Sequence, residues 1–193
     1  MPRTKQFDEK EVLNKAMELF WEKGFHATSM QELVSHLGIN RASLYDTFGG
    51  KEKLFNRAFQ EYRNESGDMV KGLLAGEVSV KQGFEKLFDF AIEEAVKDDA
   101  RKGCFVVNTT TELIPGDPNI HDILRGNMDQ VAELFSTHIQ KGINQGEINA
   151  SKNARDIGLM LFAFYNGLRV VSKIDTDPDK LKDMVQAALS VLD

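Results

Sequence analysis

The chain has 193 residues, 41% of them hydrophobic, which suits a globular protein built as one large domain or as a small domain joined to a larger one. Its single cysteine excludes an intramolecular disulfide, and the opening residues lack the apolar core of a secretory signal, so a cytoplasmic protein is expected. The net charge of -6 speaks against a nucleic-acid partner only until the chain is divided: residues 1–60 hold nine Lys and Arg against eight Asp and Glu, whereas residues 61–193 hold fifteen against twenty-two.

Apolar residues recur at three- and four-residue spacing almost throughout, without hairpin signals, so the chain reads as all-α with about nine helices. The first helix runs from about Asp8 to Lys23, with Val12, Ala16, Leu19 and Phe20 as its apolar stripe and Gly24 as its stop. A second starts at Thr28 or Ser29, since Thr28 with Gln31 and Ser29 with Glu32 both have capping-box spacing, and ends at Gly38. Asn40 is an able N-cap for a third helix from Arg41 to about Phe48, where Gly49 and Gly50 break it. Met30, Leu33, Val34 and Leu37, then Ile39, Leu44 and Phe48, would close these two short helices on each other as a helix-turn-helix.

From Lys51 a longer helix carries Leu54, Phe55, Ala58, Phe59 and Tyr62 towards Val70 and Leu74. The expected organisation is a helix-turn-helix domain over residues 1–50, with the start of the linking helix to about 60, and a helical domain over 51–193. Further helices are expected over Val80–Val96, Cys104–Ile114, Asn119–Gln145, Ala154–Lys173 and Pro178–Leu192, punctuated by the breaker Pro115-Gly116-Asp117-Pro118, by Gly146 and by Asp175-Thr176-Asp177-Pro178. The most apolar stretch, Ile157–Val171, is shorter than the roughly 20 residues that span a bilayer and carries Tyr165, Asn166 and Arg169. It reads as a buried helix, and no membrane partner is expected.

Catalysis has little support. His26, His36, His121 and His138 make no metal-binding spacing, and the chain has neither a phosphate-binding glycine loop nor a nucleophile elbow. No metal and no cofactor are expected.

A helix from Arg41 to Phe48 would present its N-terminal residues to base edges in the major groove while the preceding helix crosses the backbone. Arg41 can pair with the O6 and N7 acceptors of guanine, and Thr28, Asn40, Tyr45 and Lys51 suit phosphates by hydroxyl, amide, phenol and ammonium chemistry. Arg3, Lys5, Arg41, Lys51 and Lys53 could form a cationic face. The plainer reading makes Thr28 and Asn40 caps only, Tyr45 a packing residue, and Arg41 and Lys51 solvated charges. The run Ala27-Thr28-Ser29-Met30-Gln31-Glu32-Leu33, followed by Leu37-Gly38-Ile39-Asn40-Arg41-Ala42-Ser43-Leu44-Tyr45-Asp46-Thr47-Phe48 and Lys51-Glu52-Lys53-Leu54-Phe55, resembles the DNA-binding domain of TetR/AcrR-type regulators over roughly residues 8–60. The resemblance implies a repressor on double-stranded DNA, released from a palindromic operator by a small-molecule effector, with Thr28, Ser29, Asn40, Arg41, Ala42, Tyr45 and Lys51 at the DNA. Asp46 stands where many such proteins carry a histidine or a neutral residue, which bears on base preference.

The last two helices read as a homodimer interface, since Ala154–Lys173 is apolar over much of its circumference and Leu181, Met184, Val185, Ala188, Leu189 and Leu192 form a stripe. Packing within one subunit is the alternative. In the helix opened by Gly103 and Cys104, Cys104, Asn108, Thr111 and Glu112 share a face, and the threonines at 109, 110 and 111 are poor helix formers. Cys104, Phe105, Asn108, Thr109 and Glu112, with Phe84, Phe88, Phe135, Phe164 and Tyr165, are therefore candidates to line an effector pocket, with ordinary packing as the alternative. The Gly-Cys opening, preceded by Arg101 and Lys102, also resembles family branches whose cysteine answers electrophiles or oxidants, with a lysine where this chain has Lys173. The rival of a different class is a helical ligand-binding or interaction module whose DNA domain no longer functions.

Overall fold

The structure, a computed structural model, describes residues 7–76, 79–114 and 116–193, so Arg3, Lys5 and Pro115 lie outside the described residues. Among the described residues there are nine α-helices, a last turn of 3-10 helix and no strand. In chain order they are α1 (Glu9–Lys23), α2 (Met30–Leu37), α3 (Arg41–Phe48), α4 (Lys51–Ala75), α5 (Val80–Lys97), α6 (Phe105–Leu113), α7 (Pro118–Asn144), α8 (Ala154–Val171) and α9 (Pro178–Leu189). Two compact units, Met1–Asn64 and Glu65–Asp193, divide the chain within α4.

In the first unit the helix starts follow from capping chemistry. Asp8 accepts from the amides of Lys10 and Glu11, Ser29 Oγ from Glu32 N at 3.1 Å, and Asn40 Oδ1 from Ser43 N at 2.8 Å. Helices of eight residues such as α2 and α3 do not persist alone in water. Here Leu33, Leu37, Leu44 and Phe48 are buried beneath them, each contributing on the order of 1.5–3 kcal/mol. The Phe55 ring of α4 meets Phe20 and Phe25 edge-on at 5.2 and 5.0 Å, and this aromatic centre joins α1 and the turn after it to α4.

The second unit is organised around α5, which sends Phe84, Leu87, Phe88, Ala91 and Ile92 into one core with Phe135 and Ile139 of α7, and Leu161, Tyr165 and Leu168 of α8. Helices α7 and α8 cross closely at Gly158, where a Cβ would stand 2.3 Å from Ser136 Oγ. Glu147, in the connection between them, caps α5 from a distance in sequence: it accepts from Ser79 Oγ at 2.6 Å, Val80 N at 2.8 Å and Lys81 N at 3.0 Å. Burial opposes its charge, but those three donors hold its carboxyl below the ordinary value.

The expected dimer stripe needs correcting. Leu181, Val185, Leu189 and Leu192 are buried within one subunit, where α9 packs against α5, and of the six residues only Met184 is an exposed large side chain. An amphipathic stripe shows that a face is covered, not by which chain. On α8, Leu159, Met160 and Val170 point outwards, with Ile174 just beyond it at 76% exposure.

Candidate functional site

Ser29, Asn40, Arg41, Ala42 and Tyr45 are all exposed around the N-terminal ends of α2 and α3. Arg41 and Tyr45 are one turn apart, with the guanidinium carbon 5.8 Å from the ring centroid, and Arg41 has no carboxylate partner among the described residues. The hydroxyl of Tyr45 and the fork of Arg41 thus leave the same face of α3 together. Gly50, with φ at +112°, lets the chain pass close beneath that ring, since a Cβ there would come within 3.2 Å of Tyr45 Cε1. Lys51 is half-buried with its Nζ 4.3 Å above the Phe25 ring, a cation–π contact that sets the ammonium at the start of α4.

Thr28 does not join this group. Its side chain has no accessible surface, and its hydroxyl donates inwards to Gly24 O at 2.7 Å, tying the turn after α1 to the approach to α2. Of the two capping candidates only Ser29 caps, so the expected phosphate contact through the Thr28 hydroxyl is replaced by a structural role. Asp46 is exposed beside Tyr45, on the same helix as Arg41.

The ten residues expected around an effector separate into two groups. Phe84, Phe88, Phe105, Thr109, Phe135 and Tyr165 are buried interior, and Phe164 is partly buried against them. Phe84 meets Phe135 and Phe88 meets Phe164 at 5.2 Å in edge-on pairs, so these rings fill the core they were expected to leave open. The second group surrounds the start of α6. Cys104 is its buried N-cap residue, at 8% exposure, and Asn108 donates to Lys102 O at 2.8 Å while accepting from Lys173 Nζ at 3.3 Å. Lys173 lies so close to Gly103 that a Cβ there would stand 2.7 Å from Lys173 Cδ. Lys173 is thereby brought to the Gly103–Cys104 opening. Glu112 is half-buried at the far end of α6.

Sequence reading missed two arrangements here. Arg169, 7% exposed, directs both terminal nitrogens to Glu94 Oε2 at 2.9 Å and one also to Tyr165 Oη at 2.9 Å, while its Nε is buried without a partner. Burial pushes the Tyr165 phenol above its ordinary value, so it stays neutral near pH 7. The other is a cleft of about 640 Å³ between α6, α7 and α8, with Val107, Ile114, Leu124 and Phe162 among its apolar walls. None of the ten expected residues lines it: it opens on the flank of α6 carrying Val106, Val107, Thr110 and Ile114, and of the face shared by Cys104, Asn108, Thr111 and Glu112 only Thr111 reaches it. The threonines explain themselves there: Thr110 and Thr111, both in the cleft wall, donate their hydroxyls back to Val106 O and Asn108 O, at 2.8 and 2.9 Å. The signal that could have found it is the second run of small and branched residues, Val106, Val107, Thr110, Thr111 and Ile114, at helical spacing.

Among the described residues no group of three His, Cys, Asp or Glu could hold a metal ion, and no helix is long and apolar enough to cross a membrane.

Two family models match the chain, one described as bacterial regulatory proteins of the tetR family over residues 12–58, the other as a tetracyclin repressor-like C-terminal domain over residues 82–188. The chain is 34% identical to the uncharacterized HTH-type transcriptional regulator YezE of Bacillus subtilis (strain 168), with all of both chains covered. It is 26% identical to the HTH-type transcriptional repressor ComR of Escherichia coli (strain K12), over 97% of this chain and 90% of that one. Among solved structures, a cysteine mutant of the TetR family transcriptional regulator CifR complexed with 26bp double-strand operator DNA superposes with a TM-score of 0.89 at 26% identity, covering 99% of this chain and 100% of that one.

Proposed function

Because the chain belongs to the tetR family of bacterial regulatory proteins, and so is a DNA-binding transcriptional regulator and not an enzyme, we propose that it acts in the cytoplasm as a homodimeric repressor that leaves a palindromic operator when a small molecule binds. The observation that carries the DNA-facing part is the exposed pair Arg41 and Tyr45 on α3, with Arg41 uncommitted to any carboxylate. Arg41 reads a base edge in the major groove, and Ser29, Asn40, Tyr45 and Lys51 set the register by contacts to phosphates. Repression is the role printed in the names of several relatives, including ComR and the E. coli repressor BdcR.

Two-fold pairing through the outward face of α8, where Leu159, Met160 and Val170 are exposed, would present two copies of α3 to successive turns of a palindrome. An effector held in the second unit then favours a state in which α4, the helix shared by both units, sets a spacing of the recognition helices that no longer fits the duplex. By linkage, operator DNA weakens effector binding by the same factor. Covalent sensing at Cys104 is favoured by Lys173 beside Gly103 and opposed by the low exposure of the thiol.

The test is selection from a random duplex pool by the purified chain, with Arg41→Ala and Tyr45→Phe in parallel. The expected result is a palindrome recovered by the wild type, a relaxed preference at one position of each half-site with Arg41→Ala, and a shallower salt dependence with Tyr45→Phe only if the phenol orders a neighbouring cation. No enrichment by the wild type at low salt would leave a helical ligand-binding module with a silent DNA domain as the better account.

A further inference from the structure

We propose that the cleft between α6, α7 and α8 binds a small amphiphilic anion, with its apolar body against Val106, Val107, Ile114 and Phe162 and its acidic group at Arg125. This deepens the regulator reading by naming the effector site and its chemistry, and moves that site away from the aromatic core. A cleft of about 640 Å³ is in the range that holds a drug-sized ligand, whereas the rings of Phe84, Phe88 and Phe135 are closed on one another without exposure.

Charge decides the class of ligand. In a chain of net charge -6, no Asp or Glu lines this cleft, while Arg125 does, one turn along α7 from His121, whose Nδ1 lies 3.3 Å from Asp122 Oδ1 and is therefore already partnered. Arg125 makes no ion pair and Asn127 no hydrogen bond among the described residues, so both keep their donors for a guest. The other polar wall groups are already committed: Thr110 and Thr111 donate to their own helix, and Asn166 Nδ2 donates to Phe162 O at 2.9 Å. The unspent donors therefore gather at the α7 end, and the apolar walls belong to α6 and α8. A carboxylate or sulfonate on an apolar body matches that polarity, and a neutral hydrocarbon or a cation does not. The ligand would also touch Ala163, on the exposed side of α8 that also carries Leu159 and Val170, which gives it a direct hold on the helix proposed to pair subunits.

The experiment compares two fluorescent probes of nearly the same apolar shape, anilinonaphthalenesulfonate and uncharged N-phenylnaphthylamine, titrated into the full chain without DNA. The wild type should prefer the sulfonate by about fivefold, the size expected of one exposed charge pair, and the preference should shrink with added salt. Arg125→Gln, at an exposed position that does not threaten folding, should erase the preference and keep binding of the neutral probe. Val106→Trp should block both probes, with far-UV circular dichroism confirming that it folds, whereas Phe88→Leu in the core should change neither. Equal affinity of the wild type for the two probes, or a preference that survives Arg125→Gln, overturns the proposal. So does a result in which Val106→Trp alters subunit association and leaves both probes bound, because a second copy then fills the cleft. Operator binding plays no part in these readings, so a failure of the repressor assignment would show separately, as intact probe binding without DNA selection.

Discussion

The ring of Tyr45 rests on the backbone of Gly50, at a spacing tighter than ordinary contact for a side chain, since a Cβ would stand 3.2 Å from Cε1 and the residue's φ is +112°. Gly50→Ala therefore strains the backbone and displaces the ring together. We expect a loss of stability of about 1–3 kcal/mol in urea unfolding. Operator affinity should fall further than that of a Tyr45→Phe variant, because the whole ring moves and not the hydroxyl alone. Unchanged affinity with lowered stability would show that Tyr45 has no part in DNA contact.

Thr28→Val separates structure from recognition. The substitution keeps shape but removes the hydroxyl that donates to Gly24 O, at a cost of about 1 kcal/mol with a little more for the orphaned carbonyl. The slope of operator affinity against salt should stay that of the wild type, since a side chain with no accessible surface neutralises no phosphate.

His138 sets the acid limb of stability. Its ring is 8% exposed, and burial, helped by the positive charge of Lys141, holds its pKa below 6.5 despite the opposing pulls of the Val80 backbone and of Glu147. Below pH 6.5 the unfolded chain takes up a proton that the folded chain refuses, so stability falls as pH falls, by at most about 1.4 kcal/mol per unit from this group, until the folded-state pKa is reached. As pH rises past the unfolded value of 6.5 the unfolded ring loses its proton too, and the dependence fades away within about a unit. Urea unfolding across that range should show a gentler slope in His138→Gln. The same slope in the variant would place the acid sensitivity elsewhere.

Outward groups on α8 and inward groups on α9 should respond differently to substitution. Val170→Glu and Leu159→Glu are expected to yield folded monomers in sedimentation equilibrium, with operator affinity reduced because two half-sites are no longer bound together. Leu189→Ala, which opens a cavity in the subunit core, should cost about 2–5 kcal/mol of stability and leave association to follow from folding. Dimers that survive both glutamates would put the subunit contact on another face.

Local chemistry was legible from residue order. Ser29 and Asn40 cap as expected, and the apolar positions of α2 and α3 are those that close the helix-turn-helix. What escaped depends on contacts between distant segments. Whether Thr28 or Ser29 faces water is decided by the turn after α1, not by capping-box spacing, which both satisfy. Which side of α6 borders a cleft depends on where α7 and α8 lie, and a one-residue change of viewpoint on a helix moves from a filled core to open space. Arg169 and Glu94 are 75 residues apart, and nothing near either one in sequence marks them as partners.

The clasp made by Glu147 has a bearing on the order of folding. It closes a loop of 67 residues between Val80 and Glu147, so the first turn of α5 cannot receive its acceptor until α7 has been synthesised and laid across it. A nascent chain leaving the ribosome would carry α5 with a frayed start and its aromatic face uncovered for the whole of that interval. Glu147→Gln should then act chiefly on unfolding, raising its rate while the rate of refolding stays close to that of the wild type, as expected of an interaction made after the rate-limiting step.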